Sequence, residues 1–175
     1  MQASPRPASQ AETPVKADER SGKYLTFKLG PEEFGVRVIK VREIMAIQPI
    51  TVVPKMPDYV KGVVHLRGKA IPVVDLRLKF ALPAVDYTSR TCIIVVEVES
   101  DECHIHVGLV VDAVSSVLNF MPGEIENPPD SGARLATPFI LGMVKVKGKM
   151  KILLDIDRVV STRDIPGFNS IMGQA

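Results

Sequence analysis

Lys61-Gly62-Val63-Val64-His65-Leu66-Arg67-Gly68-Lys69 runs on into Pro72-Val73-Val74-Asp75-Leu76, and the chain then says nearly the same thing again. The second copy is Leu141-Gly142-Met143-Val144-Lys145-Val146-Lys147-Gly148-Lys149, followed by Ile152-Leu153-Leu154-Asp155-Ile156. Gly62 matches Gly142, Gly68 matches Gly148 and Asp75 matches Asp155, each at an offset of 80. Upstream, Gly35-Val36-Arg37-Val38-Ile39-Lys40-Val41 is echoed by Gly108-Leu109-Val110-Val111-Asp112-Ala113-Val114 at an offset of 73, a difference that a loop insertion absorbs. A repeated unit of this size predicts two small, similar subdomains related by a pseudo-twofold. The seam between like halves is a natural place for a partner.

Each copy has its own local logic. Residues 62–67 and 70–74 are rich in Val, Leu and Ile and flank a turn at Gly68-Lys69, so they read as a β-hairpin. Asp75 stands at an N-cap position, and Leu76 and Phe80 lie one helical turn apart. The second copy repeats this as a hairpin over 142–154, Asp155 as cap, and Ile156, Val159 and Val160 on one helical face. Tyr24–Leu29 and Phe34–Val38 read as strands around a turn at Gly30-Pro31-Glu32-Glu33. Val38, Val41, Ile44 and Met45 fall at helical spacing, which predicts a short helix over 39–46. Residues 91–98 and 105–112 read as the first strands of the second half. The stretch 121–138 has four prolines and two glycines and reads as a long loop. Strands this short with exposed edges invite aggregation, and closing each sheet removes the edge. The fold expected is mainly β: two small barrel-like subdomains with short helices.

The 175-residue chain is 46% hydrophobic with a net charge of +2, as for a soluble globular protein whose charge forbids no partner. No apolar run approaches the roughly 18 residues that span a bilayer. The start lacks an apolar signal core, which predicts a cytoplasmic protein without membrane insertion. Residues 1–22, rich in Pro, Ala, Ser, Gln and Glu, read as a disordered tail. Cys92 and Cys103 lack CxxC spacing and are expected to be free thiols.

Catalytic signatures are missing: there is no GxGxxG, Walker loop, GxSxG or HExxH. His104 and His106 alternate on one side of a strand with Glu102, and a polar solvent-facing strand explains them without a metal. Asp75 and Asp155 occupy matched capping positions, which accounts for them without acid–base work. Lys145, Lys147, Lys149 and Lys151 alternate and are expected on one solvated face, with Arg67 and Lys69 at the first hairpin tip. A nucleic-acid-binding double barrel is the alternative function, but it wants aromatic platforms, and the chain has no Trp and 5% aromatics.

The stretch Val41-Arg42-Glu43-Ile44-Met45, then Lys61 to Gly68, then Ile71-Pro72-Val73-Val74-Asp75-Leu76-Arg77 resembles the CheW family of bacterial chemotaxis coupling proteins. Val107 to Val114 resembles the family's second half, and the likeness covers about 23–165, leaving tails at 1–22 and 166–175. The resemblance implies two five-stranded, SH3-like β-barrels around a shared core. It implies no catalysis, no cofactor, and a scaffold joining the cytoplasmic tips of methyl-accepting chemotaxis receptors to the regulatory domain of the histidine kinase CheA. That work would be done at membrane-associated receptor arrays, without nucleic acid. Partner contacts implied by position are Val38, Val41, Glu43, Lys61, Gly62, Arg67 and Gly68. Val38 and Val41 could equally be core residues, and Gly62 and Gly68 turn or close-packing residues. His65, where the family usually has Asn, and Ala113, where Gly is common, depart from the pattern.

Overall fold

The computed structural model describes residues 19–99, 104–128 and 139–160. The strands are β1 (Gly22–Leu29), β2 (Glu32–Arg37), β3 (Val41–Ala46), β4 (Val60–Leu66), β5 (Lys69–Asp75), β6 (Cys92–Glu99), β7 (His104–Val111), β8 (Ala113–Phe120), β9 (Ile125–Glu126), β10 (Ile140–Val146) and β11 (Lys149–Leu154). Two single-turn helices, α1 (Leu76–Lys79) and α2 (Ile156–Val159), follow the two hairpins. The strands form a five-stranded sheet in the order β3-β6-β7-β5-β4 and a six-stranded sheet in the order β8-β1-β2-β11-β10-β9. The repeated hairpins thus lie in different sheets, as the duplication predicts.

Both hairpins turn through two residues in left-handed backbone: Arg67 (φ 53°) and Gly68 (φ 80°), then Lys147 (φ 51°) and Gly148 (φ 84°). Such a turn matches the right-handed twist of the flanking strands. The turn therefore falls one residue earlier than Gly68-Lys69 and takes Arg67 into itself. Asp75 caps α1 by accepting the amides of Arg77 at 2.9 Å and Leu78 at 3.4 Å, and Asp155 caps α2 through Asp157 at 3.2 Å. Caps of this kind stabilise by about 1 kcal/mol.

Three features differ from the sequence-based expectations. First, 39–46 is not a helix. Val38–Lys40 is a short 3-10 turn, and β3 follows with alternating burial. A bulge between Val41 and Glu43 inserts one residue, so a period-two strand imitates helical spacing. Second, β6 and β7 do not build a barrel with the second hairpin. They pair with β3 and β5, while β1 and β2 join β8 and β11. Each barrel therefore takes its leading hairpin from one half of the duplication and the rest from the other. The echo keeps register even here: Gly35 sits opposite Leu153, and Gly108 opposite Val73. Third, Lys151 is not solvated. It is buried and ion-paired with Glu33. Within the expected loop 121–138, a 3-10 turn at Pro122–Glu124 and β9 appear, and 129–138 lie outside the described residues. So do 1–18 of the expected N-terminal tail and all of 166–175; Gly22 already opens β1.

The core has three parts, set by strand alternation. Ile93, Val95, Val73 and Val110 fill the five-stranded barrel, while Tyr24, Phe120, Val144 and Leu153 fill the other. The intervening residues Ile94, Val96, Val98, Val74 and Leu109 face the opposite way, into a core shared by both barrels with Leu25, Phe27, Phe34 and Leu154. Strands buried on both faces explain unbroken runs such as Ile93-Ile94-Val95-Val96.

Two ion pairs tie the barrels at matched points with opposite polarity. Arg77, two residues past the cap Asp75, donates to Asp112 from Nε and Nη2 at 2.8 Å, and Asp112 also accepts the Gly30 amide at 2.7 Å. Asp157, two residues past the cap Asp155, meets Lys40 at 2.9 Å and accepts the Glu99 amide at 2.9 Å.

Candidate functional site

Two of the seven residues implied as partner contacts meet directly. Glu43 on β3 and Arg67 in the β4–β5 turn form an ion pair at 2.8 Å across the mouth of the five-stranded barrel. Arg67 is 75% exposed at its side chain, so most of the guanidinium's donors stay available to a partner. The pair itself, in water, is worth about 0–1 kcal/mol. Gly68 completes the turn and is exposed beside it.

The other residues sort by burial. Val38 and Val41 are half-buried and pack against the shared core, so ordinary packing explains much of them. Ile39 and Ile44 on the same segment are the exposed apolar residues, at 72% and 46%. Sequence reasoning missed both because it placed this segment on a helix, where the facing residues differ. Gly62 is buried and has φ +140°, and a Cβ there would lie 2.0 Å from the Thr51 carbonyl oxygen. Thr51 and Val63 exchange two backbone hydrogen bonds of 2.8 Å, a bridge that closes the barrel between the end of β3 and β4. Gly62 is thus where one backbone passes over another. Lys61 is half-buried and lies apart from Arg67, beside Asp75, Val85 and Tyr87.

Tyr87 belongs to the segment 80–91, a strap that leaves α1, crosses the Asp75 end of the barrel and returns to β6. Arg77 Nη1 holds the Pro83 carbonyl at 2.9 Å, and the Tyr87 hydroxyl donates to Asp75 at 3.2 Å. Burial pushes the Tyr87 phenol up to about 12, with the Asp75 charge and hydrogen bond adding to it.

On the outer face, Glu97 of β6 is shared by Arg42 (2.7 Å), His104 (2.9 Å) and His106 (3.6 Å). The Arg42 hydrogen bond, opposed by burial and helped by the charges of Arg42 and both histidines, holds the Glu97 carboxyl below its ordinary range. Both histidines are solvent-facing, at 59% and 39% exposed. Among the described residues, no group of three or more His, Cys, Asp or Glu is arranged to hold a metal ion. Cys92 is a free thiol, half-buried, and Cys103 lies outside the described residues. Lys145, Lys147 and Lys149 are exposed at the second hairpin tip, the counterparts of His65, Arg67 and Lys69. No described helix is long and apolar enough to cross a membrane.

The family model for the CheW-like domain matches residues 23–164. The chain is 37% identical over 142 residues to the chemotaxis protein CheW of Klebsiella aerogenes, covering 81% of this chain and 83% of that one. It is 36% identical over 140 residues to the CheW of Rhizobium meliloti, covering 80% and 88%. The crystal structure of the scaffolding protein TtCheW from Thermoanaerobacter tengcongensis superposes with a TM-score of 0.72 at 30% identity, covering 82% of this chain and 95% of that one. With both barrels inside the matched residues, the chain belongs to the CheW-like family of chemotaxis proteins.

Proposed function

We propose that this protein is a non-catalytic signalling scaffold that couples methyl-accepting chemotaxis receptors to the histidine kinase CheA. It works from the cytoplasm, recruited to receptor arrays at the membrane, and uses no cofactor. The observation that carries the reading is the CheW-like match over residues 23–164, which takes in both barrels. Its support includes a similar solved protein that is itself named a scaffolding protein. Arg67 with Glu43, at the tip of the first hairpin, is the contact we assign to a receptor or kinase carboxylate or carbonyl. A guanidinium there offers planar, charge-assisted pairing at a surface that also presents exposed Ile44.

Arg67→Ala should leave the melting transition within about 0.5 kcal/mol of the parent. Only an exposed ion pair is lost, and alanine meets the same backbone demand at φ 53°. Affinity for purified receptor–kinase arrays should fall by roughly 30-fold, since a hot-spot side chain is worth about 2 kcal/mol and each decade about 1.4. Co-sedimentation with arrays beside thermal melts reads both quantities. Early unfolding with normal binding by the folded mutant would make Arg67 a structural residue. Failure of the wild type to sediment with either receptor or kinase would overturn the scaffold reading.

A further inference from the structure

The two histidines of β7 stand at the rim of the five-stranded barrel, beside the Glu43–Arg67 pair. Ile93, Val95 and Glu97 alternate along one side of β6: the first two fill the barrel, and the third emerges at its end. In the β6–β7 register His106 lies opposite Glu97, and His104 opposite Glu99. Glu43 lies opposite Val95, two residues from Glu97. Glu43 and Glu97 are therefore diagonal neighbours on adjacent strands, at the usual spacing of about 7–8 Å.

Among the described residues, the charges at this rim balance. β3 brings Arg42 and Glu43, the hairpin turn Arg67, and β6 Glu97 and Glu99. Lys69 on β5 precedes Val73 by four residues, as His104 precedes Gly108, the partner of Val73 on β7. Lys40 reaches Glu99 at 3.9 Å from the side, carrying its own partner Asp157. With neutral histidines, Lys40, Arg42, Arg67 and Lys69 thus stand against Glu43, Glu97, Glu99 and Asp157. Glu97 is already engaged at both oxygens. Its Oε1 accepts from Arg42 Nε at 2.8 Å and Nη2 at 2.7 Å, and its Oε2 meets His104 Nδ1 at 2.9 Å. A proton taken up by either ring therefore finds no unused carboxylate and adds to the net charge of the rim. Histidine is the side chain whose charge ordinarily changes between about pH 5 and 8.

We propose that this rim is a proton-gated docking surface for an acidic segment of a partner protein, balanced in charge above neutrality and doubly positive once His104 and His106 are protonated. The proposal rests on the assignment of Arg67 as a contact and says what chemistry that contact takes. The occupant follows from charge complementarity. Arg67, 75% exposed, offers the free donors, and protonation makes the surroundings positive. The carboxylates interleaved with these cations suit a short segment of separated acids and repel a continuous phosphate backbone. The sign is fixed by linkage: a bound anion favours the protonated rings, so affinity rises as pH falls. Each new charge lies within a Debye length of the partner, about 8–10 Å, and contributes about twofold to threefold in affinity.

The test measures binding of the full chain to a fluorescent hexa-aspartate peptide, blocked at both ends, by anisotropy in low salt. Aspartate, with an ordinary value of about 3.9, stays ionised from about pH 8 to 5.5. Over that range the wild-type affinity should rise about fivefold, while His104→Gln/His106→Gln, at solvent-facing positions, should give a flat profile with an unchanged thermal melt. Arg67→Ala should weaken binding at every pH, which places the peptide on this rim. A flat wild-type profile, a double variant that keeps the gain, indifference to Arg67→Ala, or tighter binding of a single-stranded oligonucleotide would each overturn the proposal. Co-sedimentation with receptor–kinase arrays over the same pH range separates the two readings. Failure to sediment at any pH counts against the scaffold function, and the peptide profile still decides the gate.

Discussion

Gly62→Ala should destabilise the protein by about 4 kcal/mol, the largest loss expected of a glycine-to-alanine change among the described residues. Two costs combine. The backbone sits at φ +140°, outside the regions open to a residue with a Cβ, and the new methyl would lie 2.0 Å from the Thr51 oxygen and 2.7 Å from its carbonyl carbon. Since backbone rather than a flexible side chain is in the way, the Thr51–Val63 bridge must open and lose two hydrogen bonds of 2.8 Å. For a domain of this size the melting temperature should fall by roughly 8–16 °C. Gly68→Ala is the control: φ is +80° but no atom lies within 4 Å of the added methyl, so the cost is about 1–2 kcal/mol of backbone strain alone. Urea titration of both variants separates the two mechanisms. Equal losses would show that close approach is not what the chain needs at Gly62.

Asp112→Asn should cost about 2–3 kcal/mol at neutral pH, because it leaves the Arg77 guanidinium, 15% exposed, without its charge partner. The same residue predicts a pH dependence. Burial raises the Asp112 carboxyl, but the Arg77 hydrogen bond, the Gly30 amide and the Arg77 charge outweigh it and hold it below the usual 3.8. A carboxyl depressed in the folded state contributes its full stability above its unfolded value and loses it as pH falls through the folded one. The stability gap between wild type and Asp112→Asn should therefore be constant from pH 7 to about 5 and close steadily below 3.8. A gap that persists unchanged at pH 2.5 would mean the pair contributes through shape and hydrogen bonding rather than charge. Melts across that range decide it.

Much of this was legible in the chain because it is local. Asp75 and Asp155 declare themselves as caps by their place between a hairpin and an apolar turn, and the offset of 80 carries that assignment from one copy to the other. The segment Val38–Met45 misled because a 3-10 turn and a bulge shifted a strand's alternation into helical spacing. Ile39 and Ile44 were lost with it. Lys151 looked like one more lysine in an alternating row; its partner Glu33 is brought to it by β2–β11 pairing, which no local pattern announces. Gly62 could be marked as a glycine of consequence, but whether it faces a partner or Thr51 depends on a crossing that spacing does not encode. Glu43 and Arg67 enter only as partner contacts implied by the resemblance, and each proves to be the other's neighbour.

The exchanged pairing of the two halves bears on how the protein is made. β2 completes its barrel through Glu33 opposite Lys151, residues 118 positions apart in a chain of 175. During synthesis the hairpin β1–β2 emerges early and must wait, with the edge of β2 unpaired, until nearly the last strand has left the ribosome. The barrel of β3 to β7 is contiguous and can close in the meantime. From the emergence of β7, which ends at Val111, until β11 emerges, a nascent chain therefore carries one finished barrel and one open sheet edge, and that edge is where a chaperone would be needed and where misassembly between neighbouring chains would begin.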